Sequence, residues 1–299
     1  MSTLERPAEQ ESGLSNEPRS KTTLVDPGSI ERTIKPSRGW MAIDWNELYQ
    51  SRELFDTMIL RDIKIRYKQT VLGVGWAVLQ PLATMTIFTL VFGSFEGVKP
   101  IGIPYPLFVL AGLVPWTFFT NAVSSSGMSL LNQQHMLSKI YFPRLYIPAS
   151  TAGAYLVDMA IGLCLFGVML PFFRYVPSIN LVFLPFAIVL TFAAALGLGL
   201  IFASMTILYR DLRFVIPFMM QVMMYASPLF FQPKILPRPV QLLVSINPMS
   251  GIITTFRWCI LGLPLDIPSL IISVVVTICV LIFGLFFFRK TERFFTDIV

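Results

Sequence analysis

Apolar and polar positions fall into long blocks along this chain. Polar and charged residues crowd positions 1–68, an apolar body covers 69–288, and a short charged tail closes the sequence. A helix needs about 20 largely apolar residues to cross a bilayer. Six stretches of the body come near that length: 72–95, 105–123, 145–173, one within 175–209, 214–231 and 267–288. The pattern predicts an all-α membrane protein with six transmembrane helices.

Two further patterns refine this picture. Between the fifth and sixth stretches, positions 232–265 hold five prolines and two short apolar runs, 240–246 and 251–261. Short re-entrant helices are expected there, because irregular backbone at membrane depth persists only where protein covers it. Before the first stretch, Glu53, Thr57, Arg61, Lys64 and Lys68 recur at helical spacing, while Phe55, Met58, Ile59 and Ile63 fall on the opposite side. Asp62 and Arg66 interrupt that apolar face at a spacing that permits an i, i+4 ion pair. A basic amphipathic segment ahead of a span predicts an N-terminal amphipathic interface helix; a solvated helix against a partner domain is the alternative. Positions 1–38 are rich in Ser, Pro and Glu without apolar periodicity, the composition of disorder. The expected plan is a disordered cytoplasmic arm at 1–38, the interface helix region at 39–71, the six-span domain at 72–288 and a cytoplasmic tail at 289–299.

Composition narrows the function classes. Charged residues are 13% of the 299, whereas an ordinary soluble domain carries about 25%. A soluble enzyme and a disordered chain are both excluded. Positions 1–68 hold eleven charges of each sign; the body holds thirteen, nine of them basic. The formal charge of +6 therefore needs no nucleic-acid partner. With the N-terminus inside, the cytoplasmic segments hold 18 basic residues and the outer ones five, so both termini are expected in the cytoplasm. The first 30 residues lack an apolar core, so no cleaved signal peptide is expected.

Candidate chemistry is sparse. Cys164, Cys259 and Cys279 lie far apart, with no metal-like spacing to the lone His135, so no metal site is expected. The dipeptide Gly-Lys is absent from the chain, so the phosphate-cradling loop of ATP-binding proteins is missing. Asp158 is the one acidic residue inside a predicted span. It is either a functional carboxylate or one hydrogen-bonded within the bundle. No catalytic residue is expected, and uphill transport would draw energy from a partner or an ion gradient.

At this point the residues resemble a family. The run I-L-R-D-I-K-I-R-Y-K-Q-T-V-L-G-V-G-W-A-V-L-Q-P-L, positions 59–82, is similar to the start of the first span in bacterial polysaccharide-exporting ABC transporter permeases. P-Y-P-L-F-V-L-A-G-L-V-P-W-T-F-F at 104–119 resembles their second span, and L-S-K-I-Y-F-P-R at 137–144 the loop before the third. Tyr-Arg-Asp at 209–211 and Asn247-Pro248 with Arg257 match later landmarks. The likeness covers about 45–299 and is nearest to O-antigen and teichoic-acid exporters.

The resemblance implies a homodimer in the bacterial inner (plasma) membrane, paired with two copies of a separate ABC ATPase that binds ATP and Mg. This chain would hold no cofactor. Its cargo would be a lipid-linked polysaccharide, moved outward through a channel at the dimer interface. Arg61, Lys64, Arg66 and Lys68 would form the lipid-pyrophosphate entrance, or serve only as positive-inside anchors. Trp76, Tyr225, Phe230 and Phe231 would line the glycan channel. Asn132, Gln133, Gln134, His135 and Lys139 would couple to the ATPase, and Asn247, Pro248 and Arg257 would form an outer gate. The alternatives are an ABC exporter permease for a lipid or drug without a polymer, and a non-ABC carrier.

Overall fold

A computed structural model describes residues 49, 52–68, 75–93, 102–134, 142–235 and 237–292, all within one compact unit, Ile43–Val299. The arm expected at 1–38, together with His135 and Lys139, lies outside the described residues. The described residues form helices and turns, with no strand among them, as an all-α protein requires. In chain order these are α1 (Arg52–Lys68), α2 (Gly75–Phe92), α3 (Tyr105–Asn132), α4 (Tyr146–Phe172), α5 (Leu184–Leu208), α6 (Leu212–Tyr225), α7 (Arg238–Ile246), α8 (Pro248–Leu261) and α9 (Ile267–Glu292). A 3-10 turn, Ile179–Phe183, leads into α5.

Five of these, α2, α3, α4, α5 and α9, are long and apolar enough to cross a membrane. They coincide with the first four expected spans and the sixth. Helix α3 is the centre of the bundle: 78% of its most apolar stretch is buried, and it packs against α2, α4, α5 and α8. It also runs to Asn132, well past the limit of 123 set by its apolar stretch. The serines beyond that limit answer to neighbouring helices rather than water. Ser126 donates to the Pro148 carbonyl at 2.9 Å, and Ser125 lies 2.5 Å from the Tyr155 hydroxyl.

The fifth expected span is cut short. Helix α6 has 14 residues, about 21 Å of helix, against a hydrocarbon core of about 30 Å. It stops at Tyr225, and Pro228 cannot rejoin a helical ladder. The freed carbonyls find side-chain donors instead. Arg257, 2% exposed, donates to Pro228 O at 2.7 Å and Leu229 O at 2.5 Å, and Tyr105 donates to Phe230 O at 3.0 Å. Irregular backbone is thus tolerated because protein satisfies it.

Two short helices, α7 and α8, occupy the proline-rich stretch as the sequence suggests. Helix α8 begins at Asn247, whose side-chain oxygen accepts from the Met249 N–H at 3.0 Å, with Pro248 in its first turn. It ends at Gly262, whose φ of 64° favours glycine. Helix α9 seats against α5 through glycines. A Cβ at Gly197 would lie 2.8 Å from the Leu281 backbone, and Gly284 faces the Gly197 carbonyl in return.

Candidate functional site

The basic helix α1 does not stand apart from the bundle; it packs lengthwise on α4. Phe55 meets Tyr146 with ring centroids 5.2 Å apart, Ile59 covers Gly153, Thr151 donates to Asp62 at 3.3 Å, and Arg66 reaches Asp158. From Phe55–Tyr146 at one end to Arg66–Asp158 at the other the contacts advance along both helices, so they run in the same direction. Gly153 permits the approach, since a Cβ there would lie 3.2 Å from Ile59 Cδ1. Asp158 is twelve residues past the start of α4, about 18 Å along its axis. The last turn of α1 therefore lies level with the middle of a 27-residue helix.

The four candidate cations divide into two kinds. Arg66 Nη1 lies 2.8 Å from Asp158 Oδ2, its guanidinium sits 3.4 Å over the Tyr155 ring, and Tyr67 donates to Asp158 Oδ1. Arg61 pairs with Asp62 at 2.8 Å and donates to Gln133 Oε1 at 3.0 Å. The i, i+4 pair between Asp62 and Arg66 does not form, because each carboxylate is met by a nearer guanidinium. Lys64 and Lys68 are exposed and make no ion pair among the described residues. Burial, followed by the Asp158 hydrogen bond and charge, pushes the Tyr67 phenol up to about 12.

Beside this cluster, α1, α2, α3 and α4 line an open-mouthed cavity of about 320 Å³, formed by Arg66, Tyr67, Trp76, Gln80, Asn121, Asp158 and their neighbours. Sequence reasoning singled out Asp158 but not Tyr67, Gln80, Asn121 or Tyr155. A signal was present in Tyr155 and Asp158, which fall three apart on one face of a helix.

The remaining candidates are dispersed. Trp76 and Tyr225 are 56% and 66% exposed, and Phe231 is half-buried. Phe230 sits in the core, stacked on Phe88 at 3.5 Å, so it presents no open ring surface. Asn132 is exposed at the end of α3, with Gln133 and Gln134 half-buried beside it. Asn247 and Arg257 come together around the Ser227–Leu229 backbone: Asn247 Nδ2 donates to Ser227 Oγ at 2.8 Å. Arg257 also donates to Phe108 O at 3.3 Å and lies 3.6 Å over the Phe108 ring. These residues form a structural clamp. No group of acidic, His or Cys side chains suited to a metal occurs among the described residues.

Comparison with known proteins matches residues 53–261 to the ABC-2 type transporter family. The chain is 26% identical over 259 residues to the O-antigen export system permease protein RfbA of Klebsiella pneumoniae, covering 84% of this chain and 98% of that one. It is 26% identical over 214 residues to the Myxococcus xanthus protein of the same name, covering 71% and 81%. It is 24% identical over 242 residues to the polysialic acid transport protein KpsM of Escherichia coli, covering 80% and 93%. The matched span runs from the basic helix α1 through the buried helix α8, and with five helices long and apolar enough to cross a membrane the chain belongs to the ABC-2 type transporter family.

Proposed function

We propose that this chain is the membrane subunit of an ATP-driven exporter that moves a lipid-linked polysaccharide, O-antigen-like, across the bacterial inner membrane. It works as a homodimer with both termini cytoplasmic, and two copies of a separate ABC ATPase bind ATP and Mg. The observation that carries the reading is the pair of uncommitted cations, Lys64 and Lys68, on a helix that leads into the first span.

In this reading Lys64 and Lys68 make charge-assisted contacts with the lipid pyrophosphate. Arg61 and Arg66 hold α1 on α4 and complete the positive field from paired positions. Trp76, Tyr225 and Phe231 offer aromatic surface along the channel at the dimer interface, where ring faces let sugars slide. Phe230 backs that surface from the core. Asn132, Gln133 and Gln134, with His135 and Lys139, dock on the ATPase, so that its motion reaches α1 through the Arg61–Gln133 bond. Asn247, Pro248 and Arg257 hold the break after α6 at the outer gate, and α7 with α8 forms the re-entrant element there.

The test is reconstitution. The chain is co-purified with its partner ABC ATPase, placed in liposomes and given lipid-linked polymer. Polymer-dependent ATP hydrolysis is expected, with at least a tenfold loss in the Lys64→Gln/Lys68→Gln double variant. Hydrolysis indifferent to polymer, or stimulated equally by a lipid without sugars, rejects the reading in favour of a non-polymer exporter.

A further inference from the structure

The cavity between α1, α2, α3 and α4 has a lining that pyrophosphate binding leaves unused. Its charges cancel, because Arg66 and Asp158 pair within it at 2.8 Å. The Asp158 carboxylate would repel an entering anion, whereas it can accept from a neutral ligand rich in hydroxyls. The amides of Gln80 and Asn121 line it and make no hydrogen bond to any described group. Asn121 is half-buried on the central helix, one turn from Thr117, whose hydroxyl donates to the Leu113 carbonyl at 2.8 Å and keeps lone pairs to accept. Trp76, 56% exposed, adds an aromatic surface at the rim.

Unpartnered amides, a neutralised carboxylate and an indole are the groups that recognise a sugar ring: hydrogen bonds to hydroxyls and stacking on the C–H face. The volume, about 320 Å³, sits at the small end of ligand pockets, roughly 300–1,000 Å³. We infer that this cavity is a carbohydrate subsite that takes the sugar unit next to the pyrophosphate of the cargo. The inference rests on the function proposed above. Lys68 directly follows Tyr67, a lining residue, so the pyrophosphate contact proposed above and the cavity share the last turn of α1. Asp158 then serves as an acceptor whose charge Arg66 has already neutralised, which makes a carboxylate at mid-helix depth tolerable.

The experiment measures binding of two probes to the permease–ATPase complex in nanodiscs: a polyprenyl pyrophosphate, and the same molecule bearing a single hexose. The native complex should bind the glycosylated probe about tenfold more tightly. Asn121→Ala and Gln80→Ala should each bring the ratio of the two affinities close to one. The retained affinity for the plain probe reports that the variants fold. Lys64→Gln with Lys68→Gln should weaken both probes and keep the ratio. Equal native affinities, or unchanged ratios in both amide variants, overturn the subsite and leave pyrophosphate recognition standing. If neither probe binds the native complex, the pyrophosphate reading falls and the subsite with it.

Discussion

Arg66 and Asp158 are 92 positions apart in sequence, yet their side chains meet at 2.8 Å. The contact ties the last turn of α1 to the middle of α4, and Tyr67 holds the second carboxylate oxygen. Both ion-pair partners are largely sheltered, with side chains 26% and 20% exposed. Breaking such a pair from one side leaves the other charge without its partner.

Asp158→Asn is therefore expected to lower stability by about 1–3 kcal/mol, read as thermal unfolding in detergent. Arg66→Ala should cost a similar amount. The Arg66→Ala/Asp158→Asn double variant should cost less than the two single changes added together, the mark of a direct contact. Strict additivity would show that the pair contributes nothing as a pair.

Tyr67 should confer an alkaline sensitivity. Its folded-state value, pushed up to about 12 from the ordinary 10, means the native protein holds the phenolic proton more tightly than the unfolded chain. The stability it contributes is fully present below pH 10 and is lost as pH rises from 10 toward 12. Denaturation midpoints measured across that window should fall in the native protein and fall less in Tyr67→Phe. Parallel curves for the two proteins would contradict the assignment.

Arg257→Met should be among the most damaging single changes in the chain. It removes the donor to Phe108 O, Pro228 O and Leu229 O inside a fully packed core. Losing hydrogen bonds to a charged group and stranding their acceptors costs about 3 kcal/mol or more. Limited proteolysis should show new cleavage near 226–231, where the backbone depends on that guanidinium. Arg257→Lys should rescue only in part, because an ammonium lacks the planar fork that spans several carbonyls.

Gly284→Ala should separate α5 from α9. The added methyl would meet the Gly197 carbonyl, backbone that cannot swing aside. A destabilisation of about 1–3 kcal/mol is expected. Gly167→Ala is the control, since a Cβ there meets nothing within 4 Å. Equal unfolding midpoints for the two variants would show that the helices give way without strain.

The apolar blocks made most of the fold legible. Helices α2, α4 and α9 begin and end within a few residues of the expected limits, because length and hydropathy alone decide whether a helix can span. Two limits failed for a shared reason. At the end of α3, Ser125 and Ser126 read as a boundary but bond to α4, and at the end of α6 apolar residues read as helix but follow a break. In both places a partner distant in sequence decided the outcome. The site was less legible. The basic stripe on α1 was visible, but its division into paired arginines and open lysines depends in part on Asp158 and Gln133, residues far away in sequence that the fold brings to Arg66 and Arg61.

The bend after α6 carries a lesson about where its instructions reside. The acceptors at 228–230 are main-chain oxygens, which every residue type supplies. The hydrogen bonds are consequently indifferent to what those positions are, and packing alone constrains Leu229 and Phe230. The information sits in the two donors, Arg257 and Tyr105, placed on α8 and α3. Beyond the break that Pro228 sets locally, the shape of this segment is written elsewhere in the chain, and a substitution at either donor would rewrite a loop it does not belong to.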